Sequence, residues 1–125
     1  MAANPTGIAQ VAIAVGDVER AKAFYRDVLG LTHLFDAPPA LAFLQCGGTR
    51  LMLSRPEGSE TVGNSILYYS VADIEAAHGA MVEAGVSFEE PPRRIATVAG
   101  RDVWLAVCRD SEGNLLGLMS EVDAV

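Results

Sequence analysis

Positive charge, cysteine and long apolar runs are all scarce in this sequence, and each scarcity removes a class of protein. Nine Lys and Arg stand against 16 Asp and Glu in 125 residues, a formal net charge of −7. Arg93-Arg94 is the only adjacent basic pair. No basic stripe can neutralise phosphates, so neither nucleic acid nor an anionic membrane surface is expected as a partner. Met1 to Gly7 has no charged segment leading into an apolar run, and no later stretch approaches the ~18 uninterrupted apolar residues of a membrane span. A soluble, cytoplasmic protein is the expectation. The two cysteines, Cys46 and Cys108, are isolated in apolar strand-like contexts, without the close pairing of a redox or zinc motif, and read as buried free thiols.

What is present is enough apolar sequence for one core: the hydrophobic fraction is 50%. The stretch "IAQVAIAVGDVERAKAFYRDVLGL", Ile8 to Leu31, opens as an alternating strand, turns at Gly16-Asp17 and continues with helical spacing at Val18, Ala21, Tyr25, Val28 and Leu29. The same pattern recurs. Val15-Gly16-Asp17-Val18-Glu19-Arg20-Ala21 aligns with Val71-Ala72-Asp73-Ile74-Glu75-Ala76-Ala77, and the second helical face is Ile74, Ala77, Met81 and Ala84. Asp17 and Asp73 stand where an N-cap carboxylate accepts from free amides, and Gly30 and Gly85 stand where a helix closes. Hairpin signals follow each helix: Leu41–Cys46 and Thr49–Ser54 around Gly47-Gly48, then Val103–Arg109 and Leu115–Ser120 around residues 110–114. Each half therefore reads strand, helix, then about three strands. Pro38-Pro39 and Pro91-Pro92 mark loops at strand edges, and Glu89-Glu90 with Arg93-Arg94 reads as a charged loop.

"VAIAVGDVERAKAFYRDVLGL" and the closing "RDSEGNLLGLMSEV" resemble the opening and closing motifs of the vicinal oxygen chelate superfamily, the glyoxalase I, bleomycin-resistance and extradiol dioxygenase group. The resemblance implies an α+β fold: two βαβββ modules whose curved mixed sheets surround a cavity, within a homodimer. On this reading residues 1–125 form one domain, with module one at about 7–54, a linker at 55–64 and module two at about 65–121. It also implies four metal-ligand positions, one on the first and last strand of each module. They carry over to Gln10 and Met52 in module one and to Ile66 and Gly117 in module two. Ile and Gly offer no side-chain donor, a Met thioether suits a soft cation, and a lone amide oxygen is a weak ligand. No metal or other cofactor is therefore expected.

Strand alternation puts Gln10, Ala12 and Ala14 on one face, with Arg50, Met52 and Ser54 on the closing hairpin; in the second half the matching sets are Ile66, Tyr68 and Ser70, and Leu115, Gly117 and Met119. Of these, Gln10, Arg50, Met52, Ile66, Tyr68, Gly117 and Met119 are the candidate ligand-binding residues, an apolar, sulfur-rich lining with a few polar handles. Gly117 is expected to leave room. Gln10 has two readings, a former ligand position free to bond something in the cavity, or an amide satisfied by a neighbour. Tyr68 likewise reads as a cavity residue or as a core aromatic, and Trp104 is expected to pack in the core. His33 and His78 lack a nearby nucleophile motif and read as structural or solvated. The favoured function is metal-free binding of a small, mostly apolar organic ligand. The alternatives are a metal-dependent glyoxalase-like lyase or dioxygenase, and a metal-independent isomerase or lyase that uses Tyr68, Gln10 or a loop Glu.

Overall fold

The computed structural model describes residues 2–56 and 63–124, and the polypeptide falls into two compact units, Met1–Asn64 and Ser65–Val125. The linker expected at 55–64 lies largely outside the described residues. In the first unit, strand β1 (Gln10–Ala14) leads into helix α1 (Val18–Ala23), which passes into a π-helical turn (Phe24–Val28), followed by β2 (Thr32–Ala37), β3 (Leu41–Cys46) and β4 (Thr49–Ser54). The second unit repeats this order with β5 (Leu67–Ser70), α2 (Ile74–Glu83), β6 (Phe88–Val98), β7 (Arg101–Arg109) and β8 (Leu115–Asp123). The sheets run β1-β4-β3-β2 and β5-β8-β7-β6. In each, the first strand pairs parallel to the last and the others pair antiparallel. A parallel neighbour requires a crossover, which the helix supplies, whereas a short turn suffices for the antiparallel hairpin.

Local chemistry starts both helices alike. Asp17 accepts from the Arg20 amide at 3.0 Å and Asp73 from the Ala76 amide at 3.1 Å, satisfying donors that have no intrahelical partner. Both helices also end alike, with Gly30 at φ 77° and Gly85 at φ 97°, and with the Leu31 and Val86 amides returning to the Tyr25 and Met81 carbonyls. Each helix lies on one face of its own sheet. Ala21 and Tyr25 are buried with Ile13, Leu44, Leu51 and Leu53, as are Ile74 and Met81 with Ala106, Cys108, Leu116 and Leu118. Burying a Leu side chain of this kind contributes about 1.5–3 kcal/mol, so these leucines dominate each small core. Trp104 belongs to this helix-covered side: it pairs with the buried Ser120, next to Ala106 and Leu118.

The second Pro-Pro pair departs from expectation. Glu89 to Arg94 is part of strand β6, not a loop, and β6 is an outer strand of its sheet. Its pairing with β7 shifts register between Phe88 and Glu90 and again between Glu90 and Arg93, so Pro91 and Pro92 fall where the ladder is already interrupted. A proline lacks an amide to donate, and an edge strand with a bulge is where a sheet tolerates that. Pro38 and Pro39 do lie in a turn, between β2 and β3. The "D-x-x-G-N" hairpin has an equally local cause. Asp110 Oδ1 accepts from the Glu112 and Asn114 amides at 2.8 and 2.9 Å, and Oδ2 from Asn114 Nδ2 at 3.1 Å. One buried carboxylate organises the whole turn.

Candidate functional site

The face of each sheet opposite its helix is partly open: Gln10, Ala12, Arg50 and Tyr68 are exposed, whereas Phe43 and Gly117 are buried. In the first unit Gln10 and Arg50 are cross-strand partners, followed along the strands by Ala12 with Met52 and Ala14 with Ser54. Strand β3 adds Gln45, Phe43 and Leu41 to the same rows. Gln10 is thus on the open side, while Ile13 and Val15 face the core. Its amide is engaged twice. Gln10 Oε1 accepts from Arg50 Nε at 2.7 Å, and Gln10 Nε2 points at the Met52 sulfur at 3.7 Å. The Arg50 guanidinium carbon in turn lies 5.6 Å from the centroid of the Phe43 ring, which is stacked on Phe35 with centroids 4.5 Å apart. Gln10, Arg50 and Met52 are therefore brought together, on a face that runs from a polar end at Gln10 and Arg50 to an apolar middle at Met52, Phe43 and Phe35.

Phe35 and Phe43 had no place among the candidate residues. The signal for Phe43 was available, since its strand pairs with β4 and its parity matches Met52. Phe35 was hidden by a register shift between His33 and Phe35.

In the second unit Tyr68 pairs with Gly117 and Ser70 with Met119, beside Val107 and Leu105 of β7. Ile66 precedes β5 and is 44% exposed. Gly117 does not leave open room. A Cβ there would sit 2.3 Å from Tyr68 Cδ1, so the tyrosine ring already occupies the space that the missing side chain vacates. Tyr68 is nonetheless 48% exposed, with its ring over the glycine and its other side open.

Several other titratable groups are committed elsewhere. His33 Nε2 is 2.8 Å from Asp36 Oδ1, and this contact, followed by the bond from Lys22, holds the Asp36 carboxyl below its usual range. His78 packs edge-on against Phe88. Glu89 is bound by Arg109 and Glu90 by Arg93, so neither is a free loop base. Burial, with the Asp110 charge second, pushes the Cys108 thiol up to about 11, and burial also raises the half-buried Cys46, so both are protonated at neutral pH and neither is a ready nucleophile. Two clefts lie beside the helix starts. A cleft of about 620 Å³ beside the start of α1 includes Asp17, Asp36, Pro38 and Arg55, and one of about 350 Å³ beside the start of α2 includes Asp73, Trp104, Ser120 and Val122. Neither includes a candidate ligand-binding residue.

A family model for the Glyoxalase/Bleomycin resistance protein/Dioxygenase superfamily matches residues 7–118. The chain belongs to that superfamily. The glyoxalase-like architecture is equally clear in solved structures. Lactoylglutathione lyase from Agrobacterium tumefaciens superimposes with a TM-score of 0.80 at 23% identity, covering 94% of this chain and 95% of that one. An integron cassette protein from the mobile metagenome of V. cholerae gives 0.79 at 20% identity, covering 96% and 98%. A glyoxalase/bleomycin resistance protein/dioxygenase from Alicyclobacillus acidocaldarius gives 0.72 at 18% identity, covering 98% and 96%. At these identities the likeness is one of fold. No curated protein sequence matches significantly.

A glyoxalase-like fold implies a divalent metal held by side chains at the four positions named above, and the residues present do not fit one. Met52 is a thioether, Ile66 and Gly117 have no donor, and the single oxygen, Gln10 Oε1, already accepts from a guanidinium whose charge would oppose a cation. Among the described residues no group of three or more His, Cys, Asp or Glu is arranged to hold a metal.

Proposed function

We propose that this superfamily member is a metal-free binding protein that sequesters or carries a small, mostly apolar organic molecule, and that it works as a homodimer. The observation that carries this reading is the engagement of Gln10: the one ligand-capable oxygen among the four positions is spent on Arg50, and the surface around it is a sheet face of Met, Phe and Ala with a polar end. Such a face suits an organic body with one or two hydrogen-bonding groups. The second exposed face, with Tyr68, Leu105 and Met119, offers similar chemistry. Dimerisation is supported by the unpaired outer strands and half-exposed apolar sheet faces, which a second copy would cover.

An enzymatic alternative rests on Tyr68, an exposed phenol beside a close-packed glycine that could donate a proton to a bound carbonyl. Incubation with a panel of small apolar metabolites separates the two. Amide resonances of β1, β4, β5 and β8 should shift saturably with one class of compound, the compound should be recovered unchanged, and the protein should sediment at twice the chain mass. Conversion of the bound compound to product would contradict the binding reading.

A further inference from the structure

We infer that the first sheet recognises the anionic end of its ligand, a carboxylate attached to a flat apolar body, through Arg50; this inference rests on the binding function proposed above. The chain carries 16 acidic against nine basic residues. Lys22, Arg26, Arg93, Arg94, Arg101 and Arg109 each face a carboxylate within 4 Å. Arg50 is different. It stands on the exposed sheet face, its Nε donates to the neutral amide of Gln10, and among the described residues it has no carboxylate partner. Acidic residues are plentiful in this chain, yet among the described residues none pairs with Arg50.

The guanidinium is nevertheless held. The Gln10 bond of 2.7 Å fixes one side, and the Phe43 ring at 5.6 Å supports it from below. A guanidinium offers five N–H donors in a rigid plane. With Nε committed to Gln10, the two terminal nitrogens form an end-on fork whose spacing matches the two oxygens of a carboxylate. Next to it lies an apolar platform. Phe35, 47% exposed, is stacked on Phe43 at an interplanar angle of 22°, and Met52 lies on the strand row beside Arg50. Phe43 itself is only 8% exposed, so a ligand carboxylate on the fork would place its planar body against the exposed ring of Phe35, which is stacked on Phe43. Gln10 then has a stated task as a positioning residue, holding Arg50 with its donors outward.

The probes are 2-naphthoate and its neutral counterpart 2-naphthylmethanol, titrated into the full chain at low and moderate salt, with amide shifts and the Arg50 Nε–Hε resonance as readouts. Naphthoate should bind about tenfold more tightly than the alcohol, the scale of a charge-assisted pair, and should move the Arg50 resonance. Arg50→Met should remove that preference, so that the two probes bind with equal affinity. Arg50→Lys should restore part of it, and Gln10→Ala should narrow the preference for naphthoate over the alcohol several-fold. Equal binding of the two probes, or an unchanged preference in Arg50→Met, overturns the anion inference and leaves the binding function standing. Failure of both probes to bind to the first sheet at millimolar concentration overturns both.

Discussion

A glycine in a strand usually weakens it, yet at position 117 a glycine is what allows an aromatic ring to lie flat on the sheet. The distance of 2.3 Å from an added Cβ to Tyr68 Cδ1 cannot be tolerated without moving the ring. Gly117→Ala should therefore cost about 1–3 kcal/mol, as overpacking does, and the cost should largely vanish in a Tyr68→Ala background. Denaturant melts of the four variants in that cycle give the coupling directly. A penalty of the same size in both backgrounds would mean that the ring is not seated on Gly117. Alternation along β8 was enough to place Gly117 on the open face, but it carries no information on which neighbour fills the gap. That depends on the parallel register between β5 and β8, a pairing between distant segments. Gln10 and Arg50 illustrate the same limit: parity puts both on one face, while the 2.7 Å bond between them follows from the register of β1 against β4.

Elements whose cause is local were the most legible. Asp17 and Asp73 cap their helices as an Asp before an apolar helical pattern should, and Gly30 and Gly85 close them. Asp17→Ala and Asp73→Ala should each cost about 1 kcal/mol of stability, whereas the Asn variants should cost only tenths, because asparagine accepts the same backbone bond. Equal losses for Asn and Ala, measured by urea unfolding, would show that the caps act through charge alone. Strand β6 was misread because Pro91-Pro92 and four charged neighbours look like a loop. The two register shifts that admit those prolines are set by pairing with β7 and leave no mark in the local pattern. The π-helical turn at Phe24–Val28 is similar, since nothing in "FYRDV" distinguishes it from a continued α-helix.

At the scale of the molecule, the repeat of one strand-helix-strand pattern explains why the family is so readable and the function so much less so. The motifs that carry the resemblance are structural: the aspartate caps start helices and Asp110 organises a hairpin. Function depends instead on a few side chains on the open faces, and there the four implied ligand positions hold an amide, a thioether, an isoleucine and a glycine. The measurement that tests this most directly is elemental analysis of the purified chain after dialysis, paired with thermal melts run with chelator and with added Zn, Ni, Mn or Fe. Tight metal binding to the folded state raises the melting temperature by linkage, so an absent site should leave the melts superimposable and the metal content far below one per chain. One metal per chain, with a melt that rises on its addition and a Gln10→Ala change that abolishes both effects, would contradict the account.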